Sequence, residues 1–235
     1  MESSSASDPR VEVPASFEDA SMDTLVDLIA DMLQRLMSHN DLIPLSPQAL
    51  TRFHSRSAPG ISVLDYLKRI VKFINVEKSC MLITLHYIDQ ICTNTPLFTL
   101  SSLTCHRFLI TSICVSAKCL CDTFCTNALY AKVGGITVQE LNILEREFLG
   151  MIDWHLLTTR DVLNEYYVNL ARTHTSGKYV LDPEDASDIE ESDYSYSSPS
   201  QRPIGIPPQG PSPRPTIEQN MAFAALQKQT SNSDG

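Results

Sequence analysis

Residues 102–124 read SLTCHRFLITSICVSAKCLCDTF, and no other stretch of the chain restricts the fold as much. On a helical projection it is apolar nearly all the way round. A helix of that kind must be covered on several sides, so it belongs at the centre of a bundle rather than on its surface. Its length approaches the roughly 20 residues that cross a bilayer. His106, Arg107, Lys118 and Asp122 lie inside it, however, and charges of that number are costly in a membrane. The segment therefore predicts a central helix of a water-exposed helical domain, with no membrane partner.

The flanking sequence supplies helices to cover it. Ser21 is placed to cap a helix through about residue 39, with Leu25, Leu28, Ile29, Met32, Leu33 and Leu36 on one stripe. Ser46-Pro47 reads as an N-cap followed by proline at the first helical position, opening a short helix to about His54. From Ser62, Leu64, Leu67, Val71 and Ile74 form a face that Val63, Tyr66, Ile70 and Phe73 widen, opposite Asp65, Lys68, Arg69 and Lys72. A further helix spans about Glu77 to Cys92. After the central segment, a short helix from Asn127 ends at Gly134-Gly135. Thr137-x-x-Glu140 has the form of a capping box and opens a helix with Leu141, Leu144, Phe148, Leu149 and Ile152 inward. A last helix starts at Thr158 or Thr159 and uses Val162, Leu163, Tyr166, Tyr167 and Leu170. About seven helices in roughly 155 residues, with no convincing strand, give an all-α fold.

Charge divides the chain in the same way. The whole carries -10. Residues 21–175 hold 13 basic and 14 acidic side chains, and the two ends hold the rest of the imbalance. A nearly neutral core offers no basic face for phosphates, which argues against nucleic-acid binding. Residues 1–20 are rich in Ser, Asp and Glu and read as disordered. Residues 182–193 carry seven acidic side chains and no basic one, and 199–215 are proline-rich, so 174–235 reads as an acidic and then Pro-rich disordered tail. Met221 to Lys228 has the composition of a transient helix or docking segment. MESSSASDPRVEVP lacks the basic start and apolar run of a signal peptide, so the expected location is nucleus or cytoplasm rather than outside the cell.

All seven cysteines fall between Cys80 and Cys125. An odd number in a chain without an export signal argues against a disulfide framework. Cys119, Cys121 and Cys125 are dense enough to consider a metal. On one continuous helix Cys119 and Cys121 point about 200° apart, so they cannot face one ion. Cys114, Cys121 and Cys125 would share a face. Small thiols packed as apolar core residues are the simpler account, and no metal or other cofactor is expected.

No motif for catalysis appears. There is no phosphate loop, no G-x-S-x-G and no H-E-x-x-H. The six histidines do not pair at ligand spacing, and Glu147 and Asp153 read as a solvated helix face. What stands out is charge inside apolar helices. Lys118 lies in the central segment and Glu145 in the capped helix. A buried Lys needs a partner. Asp122, four residues on, and Glu145 both qualify, either as a structural bridge or as part of a surface that meets another protein.

At this point the sequence becomes familiar. Ser116-Ala-Lys118, Asp122, Asn127-Ala-Leu-Tyr130-Ala-Lys-Val-Gly-Gly-Ile136, Glu140-Leu-Asn-Ile-Leu-Glu145, Phe148-Leu149 and Asp153-Trp154-His-Leu156 together resemble a cyclin box. The resemblance is to the phosphate-system cyclins of fungi, related to the plant P/U-type cyclins. It covers 60–173 well and the helix at 21–39 loosely. It implies a single five-helix box with N-terminal flanking helices at 21–59, binding a cyclin-dependent protein kinase as a heterodimer. It implies that Lys118 and Glu145 face the kinase, with Val115, Leu149, Trp154 and Leu156 as apolar contacts. Cys119 stands where many cyclins have Phe.

The resemblance makes the chain a regulatory subunit with no catalytic residues of its own, acting in nutrient signalling or the cell cycle. A kinase inhibitor and phosphorylation substrates are further partners that it leaves open. The other reading keeps the fold as a scaffold or adaptor that activates no kinase. Ser198-Pro199 and Ser212-Pro213 are candidate sites for a proline-directed kinase.

Overall fold

The structure is a computed structural model, and it describes residues 10–182, 214–219 and 221–222. Ser198 and Ser212 lie outside the described residues, as do most of the acidic run and most of the segment from Met221. Seven α-helices make up the described fold: α1 (Met22–Asn40), α2 (Val63–Phe73), α3 (Lys78–Asn94), α4 (Cys105–Leu120), α5 (Asn127–Gly134), α6 (Val138–Met151) and α7 (Arg160–Thr173). The expected five-helix box at 60–173 holds six helices, α2 to α7, and α1 precedes it on the N-terminal side.

Local chemistry sets most of the helix starts. Ser21, Ser62, Thr126, Thr137 and Thr159 each sit in extended conformation and accept the amide three positions on through the side-chain oxygen. The capping box at α6 is only half formed. Thr137 accepts from the Glu140 amide at 3.1 Å, but the Glu140 carboxylate turns away and pairs with Arg107 of α4 at 2.5 Å. A cross-helix ion pair has displaced the local return bond.

Helix α4 is the hub. Eleven of its sixteen residues are buried. It packs on α2, α3, α5 and α6. Its buried hydroxyls bond back into the helix: Thr111 to the Arg107 carbonyl at 2.7 Å, Ser112 to Leu109 at 3.0 Å and Ser116 to Ile113 at 3.2 Å. Such back-bonding satisfies the Thr111 and Ser116 hydroxyls within the helix, and Ser112 also meets Thr84 of α3 at 3.2 Å. Gly134 of α5 crosses α4 where a Cβ would come within 2.8 Å of Ile110, so the first glycine of the pair serves close packing. Gly135, at φ +72°, supplies the left-handed cap. Phe53, Phe98, Phe108, Phe148 and Tyr87 form one aromatic cluster, with neighbouring ring centroids 5.3 to 6.4 Å apart.

Several expectations are corrected. The region after Ser46-Pro47 holds only a 3-10 turn at Pro47–Ala49, and Ser46 makes no side-chain cap. On α2 the deep contacts are Val63, Tyr66, Leu67 and Ile70; Phe73 faces solvent beneath Lys72. Helix α4 ends at Leu120, not near Phe124, because Cys121 is extended. Cys121 and Cys125 therefore do not continue the face of Cys114. Cys121 turns back to Cys80, with the two thiol sulfurs 3.5 Å apart, Cys114 meets Asn127, and Cys119 is exposed. Among the described residues no group of three or more His, Cys, Asp or Glu side chains is placed to hold a metal ion. No helix among them is long and apolar enough to cross a membrane.

The larger correction concerns the ends. Residues 10–20 and 175–182, read as disordered, are packed. Val13, Ala15 and Phe17 alternate inward, and Ala20 is buried beside them. β1 (Val11–Val13) pairs in parallel with β2 (Tyr179–Leu181), in the register Val11 to Tyr179. The Phe17 amide donates to Asn164, and Tyr167 donates to the Pro14 carbonyl at 2.8 Å. Lys178 and Tyr179 both donate to Asp27 of α1. An acidic composition hid a strap that ties both ends across α1 and α7.

Candidate functional site: the α4–α6 face

The last turn of α4 and the middle of α6 carry the two residues that stood out in the sequence. Lys118 Nζ donates to Glu145 Oε1 at 2.5 Å. The other oxygen, Oε2, accepts from Asn127 Nδ2 at 3.0 Å, and the same amide nitrogen lies 2.7 Å from Asn142 Oδ1. Asp122 is not the partner, since α4 stops before it. The side chains of Lys118 and Glu145 are 27% and 18% exposed. The pair is therefore at the rim of the core, satisfied on its inner side and wet on its outer side. An ammonium carries three protons. Glu145 takes one, and Cys114 lies beneath the ammonium, where burial pushes its thiol up to about 12 while Lys118 works against that shift. Among the described residues the ammonium has no further acceptor, which leaves its outward proton to meet one on another molecule.

The other four predicted contacts occupy different depths. Val115, one turn before Lys118, is buried to 4% and packs beneath the pair rather than on the surface. Leu149, one turn after Glu145, is partly buried against the core. Leu156 is also partly buried, and its carbonyl accepts the Tyr87 hydroxyl at 2.8 Å. Trp154 is the exposed member, at 66%.

The backbone explains Trp154. Its amide donates to the Leu149 carbonyl at 3.0 Å, closing the end of α6. Asp153 and Trp154 both have positive φ, +49° and +60°. The left-handed region is unfavourable for a bulky residue, by about 1–2 kcal/mol. Two such residues in succession end the helix without a glycine and hold the indole out in water. Leu157 and Phe124 are further large apolar side chains left exposed in the connections after α6 and α4. Exposed aromatics at the ends of the two helices that carry the ion pair have the make-up of a protein-binding surface, where Trp is a frequent anchor.

Sequence reading missed Asn127 and Asn142 as members of the site. The signal was available: Asn127 opens α5 directly after the cap Thr126, and a buried-facing Asn there needs an acceptor.

Residues 23–156 match the cyclin family model. The chain belongs to the cyclin family. The match includes α1 and ends before α7, so it starts earlier and stops earlier than the 60–173 box that the motifs suggested. The chain is 47% identical over 161 residues to the Nuc-1 negative regulatory protein preg of Neurospora crassa, covering 67% of this chain and 33% of that protein. It is 38% identical over 193 residues to the PHO85 cyclin PHO80 of Saccharomyces cerevisiae, covering 80% of this chain and 64% of that one. Cyclin-U4-1 of Arabidopsis thaliana is 36% identical over 157 residues, 66% of this chain and 78% of that one. The chain thus spans about a third of the Neurospora relative and under two thirds of the yeast one. The phosphate-system resemblance of the sequence holds: these relatives include the yeast PHO-type and plant U-type cyclins. Lys118, Glu145 and Trp154 all fall within the matched region of this cyclin.

Proposed function

We propose that this cyclin binds and activates a cyclin-dependent protein kinase, as its regulatory subunit, through the face of α4 and α6. The observation that carries the reading is the Lys118–Glu145 pair, closed at 2.5 Å and held from behind by Asn127, on a helix whose C-terminal end keeps a tryptophan exposed at a backbone cost. A partner helix laid on this face would bury Trp154 and give its acceptors the outward proton of Lys118. Charge-assisted hydrogen bonds of this kind are shorter and stronger than neutral ones and fix orientation. The rigid face would hold the kinase's regulatory helix so that its Lys–Glu pair and metal-binding Asp align for phosphoryl transfer. The chain itself supplies no reacting group to that step.

Two similar proteins are named as PHO85 cyclins, PHO80 and PHO85 cyclin-7, which supports a PHO85-like kinase as the partner and phosphate or other nutrient signalling as the setting. The test is affinity purification of the intact chain with identification and assay of the associated kinase. Wild type should capture and activate one. Lys118→Ala and Glu145→Ala should each lose about 30-fold or more in kinase affinity, as expected when one member of a hydrogen-bonded interfacial charge pair is removed. Wild-type capture and activity in both variants would sink the site. Capture without activation would make the chain an adaptor instead.

A further inference from the structure

Asp89 has no role in the α4–α6 face, yet it is the single acidic residue of α3 and is buried, at 3% exposure. It sits among Leu85, Ile88 and Ile91, which are all buried. A carboxylate in such surroundings needs several donors. The helices supply one: Tyr166 of α7 donates its hydroxyl to Oδ2 at 2.6 Å. The other two come from far along the chain. The Thr216 amide donates to Oδ1 at 2.8 Å, and the Thr216 hydroxyl donates to Oδ2 at 2.8 Å.

The segment around Thr216 is seated as a ligand would be. Residues 215–219 form a helical turn, and the Ile217 and Glu218 amides bond to the Arg214 carbonyl. The Thr216 amide, in the first turn, has no carbonyl within its own helix to meet, and Asp89 fills that need from another element. Thr216 is 3% exposed. Arg214 pairs with Glu165 of α7, and Ile217 packs against the core edge. Thr216 thus meets α3 from 127 positions along the chain, and Arg214 meets α7 beside it.

We propose that the seam between α3 and α7 is a docking site for a Thr-centred peptide, and that residues 214–217 are its separable ligand, bound in cis. The recognition chemistry is specific. Asp89 reads a backbone N–H and a side-chain hydroxyl on the same residue, which selects Thr or Ser. Glu165 reads a cation two residues earlier. The apolar edge beside them takes an aliphatic residue one position later. A phosphoryl group on the threonine would replace a donor with a dianion beside a dry carboxylate, so the phosphorylated segment cannot dock. The site is independent of the α4–α6 face, and neither test below involves a kinase.

Hydrogen exchange on the full chain tests the docking. In wild type the Thr216, Ile217 and Glu218 amides should exchange at least about 30-fold slower than in an unstructured peptide. In Asp89→Ala they should approach the unstructured rate while α1, α4 and α6 keep their protection. A wild-type segment exchanging at the unstructured rate would overturn the proposal.

Separability is tested with full-length Thr216→Pro, which removes both donors from the chain's own segment and leaves proline in a first turn, where it is tolerated. A labelled peptide PSPRPTIEQNMA should bind this variant with a Kd below about 1 mM, the range in which an intramolecular ligand competes. Its phosphothreonine form should not bind, nor should the unmodified peptide bind the Asp89→Ala, Thr216→Pro double variant. A protected wild-type segment together with no peptide binding to Thr216→Pro would make residues 214–217 a fixed part of the fold and overturn the proposal.

Discussion

Glu145 and Asp89 are both carboxylates on helices that pack an apolar face, and both accept charged or polar donors at 2.5 to 3.0 Å. They differ in what lies outside them. Glu145 keeps a wet side, its partner Lys118 keeps a free proton, and both stand at the rim. Asp89 is sealed, and its donors are two hydroxyls and an amide with no formal counter-charge in contact. A rim pair costs little to desolvate and is worth little to the fold. A sealed carboxylate without a paired cation is costly to ionise. The first arrangement suits a surface that waits for another molecule, and the second suits one that has already found its ligand.

The largest expected effect tests the sealed side. Burial raises the Asp89 carboxyl from 3.8 to about 6, against the hydrogen bonds from Tyr166 and Thr216 and the charge of Arg214. The other titratable groups nearby are Tyr166, which burial and the Asp89 charge keep protonated, Cys92 and His86, which burial shifts toward their neutral forms, and the Arg214–Glu165 pair. Because the folded value exceeds the unfolded one, the protonated form favours folding. That stabilisation is complete below about pH 4 and is lost as pH rises through 6. The difference corresponds to about 3 kcal/mol. Denaturant unfolding of wild type and Asp89→Asn, followed from pH 4 to pH 7, should show the gap between them change by that amount in the direction of wild-type loss. A pH-independent gap would remove the contrast with Glu145.

The rim side makes the opposite claim. Trp154→Ala should weaken kinase binding by about 2 kcal/mol, some 30-fold, as expected of an aromatic anchor. The fold should not suffer, because the indole covers little. Trp154→Gly should bind equally poorly and be about 1 kcal/mol more stable than Trp154→Ala, since glycine removes the left-handed penalty. Calorimetry and titration of the two variants would show the stability and binding effects separating. If Trp154→Gly were instead the less stable, the positive φ at that position would not be a strain held for binding.

The same contrast explains what the sequence disclosed. The helices and their starts were readable because Ser21, Ser62, Thr137 and the apolar stripes act within a few residues. Lys118 and Glu145 were readable because charges inside apolar helices are conspicuous, and the cyclin motifs point to the same two residues. Asp89 was not singled out. Its partners stand 77 and 127 positions away, and Thr216 lies in a proline-rich stretch whose composition suggests no structure. The strap failed for a related reason. Three-residue strands such as Val11–Val13 and Tyr179–Leu181 carry too little periodicity to read singly, and their pairing joins the segments that precede α1 and follow α7. The end of α4 was missed because no glycine or proline marks Cys121.

The smallest expected effect separates stability from binding within α6 itself. Thr137 caps this helix through the Glu140 amide, and Glu140 is already committed to Arg107. Thr137→Ala should therefore cost about 1 kcal/mol of stability, the ordinary loss for a threonine cap. Fraying is confined to the first turn, while Glu145 and Leu149 lie two and three turns further on, pinned by Lys118, Asn127 and the core. Kinase affinity should stay within about twofold of wild type, since a change under 0.5 kcal/mol is all that first-turn fraying should pass on. A larger loss of affinity would mean that the α4–α6 face is held by the whole length of α6 and not by the ion pair, and the rim would then be less independent of the fold than the comparison with Asp89 requires.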